Sequence, residues 1–73
     1  MRIRVKPAGI IRRYVEDKDM EVPAGLMIRG LIALLAIPPE LKLMVFVNGQ
    51  RKDADEILEH GNEVRLITLL SGG

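Results

Sequence analysis

The 73-residue chain has no cysteine, one histidine and only two aromatic side chains, Tyr14 and Phe46. Without cysteine, disulfides and thiolate metal sites are excluded. A lone His60 cannot by itself supply a zinc site or a relay between histidines. Eleven basic and ten acidic residues leave a net charge of +1, and so little basic excess and so few stacking rings set the chain apart from dedicated nucleic-acid binders. Long apolar runs are missing too. The longest, Leu26 to Ile37, contains Arg29 and falls short of the roughly 20 residues that span a bilayer. The amino terminus alternates arginine with aliphatic residues, unlike the apolar core of a signal peptide. A cytoplasmic protein with neither a membrane nor a nucleic-acid partner is therefore expected. Nothing resembles a nucleophile and base in concert, so an outright enzyme is the least expected reading.

What is present suits a compact soluble domain: 48% hydrophobic and 29% charged residues. At this length one core is expected, burying only about 60% of the surface exposed by the unfolded chain. Arg2-Ile3-Arg4-Val5-Lys6 alternates with period two, a half-buried strand that Pro7-Ala8-Gly9 interrupts. Ile10 to Val15, β-branched and aromatic, reads as its hairpin partner. Glu16 to Asp19 reads as a solvated turn or wide loop ahead of Met20 to Val22.

After Pro23-Ala24-Gly25, Ile28, Leu31, Ile32 and Leu35 recur at helical spacing, and Pro38-Pro39 stops a helix of about three turns. Gly30 and Ala33 fall away from that stripe, and Met27 and Leu34 are apolar as well. This reads as a poorly polarised core helix or, alternatively, as a second contact surface. Leu43 to Val47 is a strand, Asn48-Gly49 a tight hairpin turn, and Gln50 to Lys52 a short return strand. Asp53 to Leu58 is an acidic turn with Ile57 and Leu58 as apolar anchors; His60-Gly61-Asn62 turns again, and Glu63 to Leu70 is the last strand. His60 reads as an ordinary exposed residue. This order predicts an α+β fold, a mixed sheet of four to five strands wrapped around one main helix: the β-grasp or ubiquitin-like arrangement. The expected domain is 1–70, followed by a flexible Ser71-Gly72-Gly73 tail.

Paired terminal glycines add little to a packed strand, having no side chains and a large ordering entropy. They make the chain thin enough to enter a narrow slot in a partner. By chance a terminal Gly-Gly arises in roughly one chain in 200, so its joint occurrence with a β-grasp pattern is informative.

Three stretches carry a resemblance: Val22-Pro23-Ala24-Gly25 with Ile37-Pro38-Pro39-Glu40-Leu41; Val45-Phe46-Val47-Asn48-Gly49; and Gly61-Asn62-Glu63-Val64 running to Ser71-Gly72-Gly73. Through them the chain resembles the ubiquitin-like sulfur carriers of the MoaD/ThiS group, over nearly its whole length. The Ser-Gly-Gly ending is closer to the molybdopterin branch than to the thiamine branch, although many molybdopterin-branch members have a proline pair where this chain has Thr68-Leu69.

The resemblance implies a carrier rather than an enzyme, either alone or as the small subunit of a molybdopterin synthase-type complex. Its site would be the carboxylate of Gly73, reached through Ser71 and Gly72. A ubiquitin-activating-like adenylyltransferase would adenylate that carboxylate with ATP, and a sulfur donor would displace AMP to leave a thiocarboxylate. No cofactor would be bound by the chain itself. A pterin precursor, a thiazole precursor, tRNA or another acceptor could receive the sulfur, and a large synthase subunit could be a further partner. Conjugation of Gly73 to lysines, as in ubiquitin, is the rival use of the same tail; a plain interaction domain is the third reading.

Strand alternation suggests where partners would dock. With Ile3, Val5, Val64 and Leu66 inward, Arg2, Arg4, Arg65, Ile67 and Leu69 point outward. With Val45 and Val47 inward, Met44 and Phe46 join them. Met44, Phe46, Ile67 and Leu69, rimmed by Arg65 and other arginines, are the expected partner face beside the tail.

Overall fold

The computed structural model describes residues 1–68. In chain order these form β1 (Arg2–Pro7), a 3-10 helix (Gly9–Arg13), β2 (Lys18–Glu21), α1 (Ile28–Leu34), β3 (Leu43–Val47), β4 (Gln50–Lys52) and β5 (Glu63–Thr68). The five strands lie in the order β2-β1-β5-β3-β4. β5 runs parallel to β1 and antiparallel to β3, so the last strand occupies the centre of a mixed sheet, as the β-grasp order requires. Among the described residues no helix is long and apolar enough to cross a membrane.

Period-two patterning is realised on each long strand. Ile3, Val5, Val45, Val64 and Leu66 are buried on the face that meets α1, while Arg2, Arg4 and Arg65 are exposed on the other. From the helix come Ile28 and Leu31, and Ile11, Val15, Val22, Ile37 and Leu58 close the edges of the same core. The buried set among the described residues is wholly apolar. Full burial of such a side chain contributes about 1.5–3 kcal/mol, which must offset the backbone entropy of a domain too small to have much in reserve.

Two elements differ from expectation. Ile10 to Val15 is no strand: Gly9–Arg13 is a 3-10 helix, and the antiparallel partner of β1 is β2. The reason lies in spacing. Ile11 and Val15 are both buried with three exposed residues between them, a helical interval, and Gly9 opens the turn with φ +57°. The segment read as a charged loop therefore supplies part of β2, with Arg2 opposite Glu21 and Arg4 opposite Asp19. Similarly, α1 has seven residues, about two turns. It stops before the prolines because Ala36 adopts φ +55°, outside helical geometry.

The hairpin turn is as expected. Asn48 and Gly49 have φ of +50° and +84°, the positive pair demanded by a two-residue turn that follows strand twist. Gly49→Val is expected to cost about 1–3 kcal/mol, because a β-branched residue is strained there; a lower urea midpoint would register it.

Candidate functional site

The start of β5 is held by loop hydrogen bonds on both sides, and these set where the strand ends. Asn48 ties the β3–β4 turn to Glu63 twice: its backbone N–H donates to the Glu63 carbonyl at 2.9 Å, and its Oδ1 accepts from the Glu63 N–H at 2.8 Å. On the other side, Gly61 N–H donates to the Arg2 carbonyl at 2.8 Å and Arg4 N–H to the Asn62 carbonyl at 2.9 Å. His60, exposed as expected, accepts the Arg2 N–H on Nδ1 at 3.0 Å, so its part here is structural. At the far end of β5, Ala8 N–H donates to the Leu66 carbonyl and the 3-10 helix packs beside the strand. Thr68 stands opposite Leu43. The last described residue, Thr68, thus lies on the central strand, which runs between β1 and β3.

The outward face of the sheet can be read from register, because directly paired residues share a face. One row crosses four strands: Arg51 of β4, Phe46 of β3, Arg65 of β5 and Lys6 of β1. The adjacent row, nearer the end of β5, pairs Met44 with Ile67. Met44, Phe46 and Ile67 are therefore brought together, each half-buried, while Arg65 is exposed. Pairing places the Cβ atoms of Arg51 and Arg65 about 4.5–5.5 Å from that of Phe46, close enough for long arginine stems to cover part of its ring. Leu69, Ser71, Gly72 and Gly73 lie outside the described residues.

Charge on this face is unevenly neutralised. Arg2 meets Glu21 at 3.0 Å, Arg4 meets Asp17 at 2.7 Å and Asp19 at 3.4 Å, and Lys6 meets Glu63 at 3.4 Å. These exposed pairs are each worth about 0–1 kcal/mol at most, but they leave the β1–β2 side nearly neutral. Arg51 and Arg65 have no such pair among the described residues. The apolar cluster beside the exit of β5 is therefore flanked by uncompensated guanidinium groups.

Sequence reasoning missed the pairing of the β1 arginines, because β2 was assigned to the wrong segment. It also read Ile57 and Leu58 alike as apolar anchors of the acidic turn. Only Leu58 is buried; Ile57 is 59% exposed, with its backbone bridged to Met27. Met27 and Leu34, the further apolar residues of the helix region, are exposed, in keeping with a poorly polarised helix.

Among curated proteins no sequence matches this chain. Solved structures share its fold at low identity. A protein named as molybdopterin converting factor, subunit 1, from Pyrococcus furiosus superposes with a TM-score of 0.78 at 21% identity, covering 94% of this chain and 98% of its own. SAMP1 from Haloferax volcanii gives 0.76 at 16% identity, with full coverage of both chains. A ubiquitin-like protein from the archaeon Caldiarchaeum subterraneum gives 0.55 at 20% identity, over 99% of this chain and 100% of that one. The model of the ThiS family matches residues 7–73, all but the first six positions. With the β-grasp topology in place and the match running through Gly72-Gly73, the chain belongs to the ThiS family of small ubiquitin-like sulfur carriers.

Proposed function

We propose that the chain carries sulfur on the carboxylate of Gly73, most closely for assembly of the molybdopterin cofactor. The family match that extends through Gly73 supports this reading above all. A carboxylate oxygen of Gly73 attacks the α-phosphorus of ATP on an activating enzyme, pyrophosphate leaves, and an acyl-adenylate forms. A sulfur donor at the oxidation level of sulfide, delivered as hydrosulfide, then attacks the carbonyl carbon; the C–O bond to AMP breaks, AMP leaves with the bonding pair, and loss of the sulfur's proton to solvent leaves a thiocarboxylate. ATP belongs to the partner, and the chain itself holds no cofactor. Residues 1–70 act as the handle, and Ser71-Gly72-Gly73 as the slender lead into the partner's active site. The choice of a pterin acceptor, and of a large synthase subunit as second partner, takes its support from the Pyrococcus furiosus protein's name and the shared fold. Such ATP-dependent chemistry would be cytoplasmic.

Docking falls to the outward face described above. Met44, Phe46 and Ile67 supply apolar contact, continuing toward Leu69, and Arg65 directs the approach of acidic groups. Phe46→Asp is expected to weaken binding to the activating enzyme by about 2 kcal/mol, roughly 30-fold. Calorimetric titration measures that loss, and circular dichroism checks that the variant stays folded. The function itself is tested by intact mass after incubation with ATP, an activating enzyme and a sulfur donor. Lysine-linked conjugates in cells, without any sulfur gain, would favour protein modification instead.

A further inference from the structure

A further feature lies at the end of the sheet opposite Thr68, the last described residue of β5. Among the described residues β4 is an edge strand, paired only with β3. Its two-residue turn makes Val47 and Gln50 the hydrogen-bonded pair, so Arg51 directs its backbone N–H and C=O away from the sheet. Beneath this edge, on the helix side, lies a cleft of about 270 Å³ with Ile28, Val47 and Ile57 as its apolar lining. That volume is below the roughly 300–1,000 Å³ of small-molecule sites. It suits a single inserted side chain rather than a cofactor.

Polar groups around the cleft define what would enter. Asn48 and Asn62 both line it, and each spends its Oδ1 on a backbone N–H, from Glu63 and Glu59 respectively. Their Nδ2 donors remain for a carbonyl. Glu56 and Glu59 also line the cleft and make no ion pair among the described residues; Lys52 is the one cation among the lining residues. Nearby Asp55 is taken by Arg29. At the rim, Ile57 and Met27 are bridged to one another and are 59% and 41% exposed, two of only four large apolar side chains left open among the described residues.

From the free strand edge, the side-chain-sized cleft with exposed Ile57 in an otherwise mainly polar lining, and the carboxylate excess, we infer that this pole docks an extended segment of a partner protein. The segment adds to β4, buries one large aliphatic side chain in the cleft and sets basic residues against Glu56 and Glu59. Val47 and Asn48 adjoin the start of β5, at Val64 and Glu63, whereas Thr68, after which the tail follows in sequence, is at its other end. A protein held here keeps both the tail and the outward sheet face open. Three residues of edge are too few to capture a strand unaided, so the cleft provides the anchor.

The probe is an acetylated, amidated hexapeptide alternating lysine and leucine, with a glutamate–leucine peptide for comparison, each titrated into the ¹⁵N-labelled chain. Saturable amide shifts at Arg51, Ile57 and Glu59, with Phe46 and Ile67 unmoved, are expected for the lysine peptide. Ile57→Asp should weaken it at least tenfold, and Glu56→Lys with Glu59→Lys should turn the preference toward the glutamate peptide. Ile57 is exposed, so its substitution leaves the core intact; Arg51→Pro, which removes the outward N–H, is the second variant and should weaken binding likewise. No saturable shift, shifts centred on Met44, Phe46 and Ile67, or equal binding of both peptides would overturn the inference. None of these outcomes bears on sulfur transfer at Gly73.

Discussion

A chain lacking Gly73 is expected to lose sulfur acceptance by at least 100-fold while unfolding at the same temperature as the intact chain. Its new carboxylate, on Gly72, sits one residue short, about 3.3–3.6 Å along an extended chain. A reacting group misplaced by about 1 Å already costs on the order of 100-fold. Adding one glycine beyond Gly73 displaces the carboxylate by the same length the other way and should be equally damaging. Stability is expected to be unchanged because neither change touches β5 as described, Glu63–Thr68. Rates of thiocarboxylate formation by mass spectrometry, alongside thermal unfolding, separate these effects. A deletion variant that still gained sulfur at the normal rate would place the chemistry elsewhere.

The second large effect lies in the core. Leu66 is fully buried on the central strand, opposite Pro7 on one side and Val45 on the other. Leu66→Ala is expected to cost 2–5 kcal/mol, roughly the transfer energy of the lost methyl groups plus that of the cavity left behind. Domains commonly have only about 5–15 kcal/mol in total, and a chain this small belongs at the low end. The variant should thus be largely unfolded well below the melting temperature of the parent, as urea titration followed by circular dichroism would show. Sulfur acceptance would fall with it, through loss of the docking face rather than any change at Gly73.

These two variants are chosen to separate the proposed handle from the proposed reactive end; of the described residues, most of the fold was legible in the sequence. Alternation at Ile3, Val5, Val64 and Leu66 identified inward and outward faces because strand side chains have a period of two, and a buried face fixes register. Asn48-Gly49 marked its turn because few residues tolerate two successive positive φ values. The segment from Ile10 to Val15 misled for an equally physical reason: β-branched composition suggested a strand, whereas the interval between Ile11 and Val15 is helical. Spacing was the better guide there. Ion pairing of Arg2 and Arg4 depended on the register of β2, which no local pattern contains. Likewise, the cleft below β4 joins α1, β3, β4 and the 53–62 connection, and only tertiary packing brings them together.

For the outward face, alternation correctly grouped Met44, Phe46, Arg65 and Ile67, and cross-strand pairing makes them direct neighbours. What alternation could not provide was degree: these apolar side chains are half-buried, not fully open. A face of this kind matches the needs of a carrier that must bind, react and leave. A wider bare apolar surface would invite self-association, whereas arginines around a modest patch favour encounter with acidic partners.

The most direct measurement is the intact mass of the full chain after incubation with ATP, its activating enzyme and a sulfur donor, followed by fragmentation. The expected result is a mass increase equal to sulfur replacing one oxygen, located on Gly73 and dependent on ATP. An unchanged mass, or sulfur attached to any residue other than Gly73, would contradict a carrier that works through its terminal carboxylate.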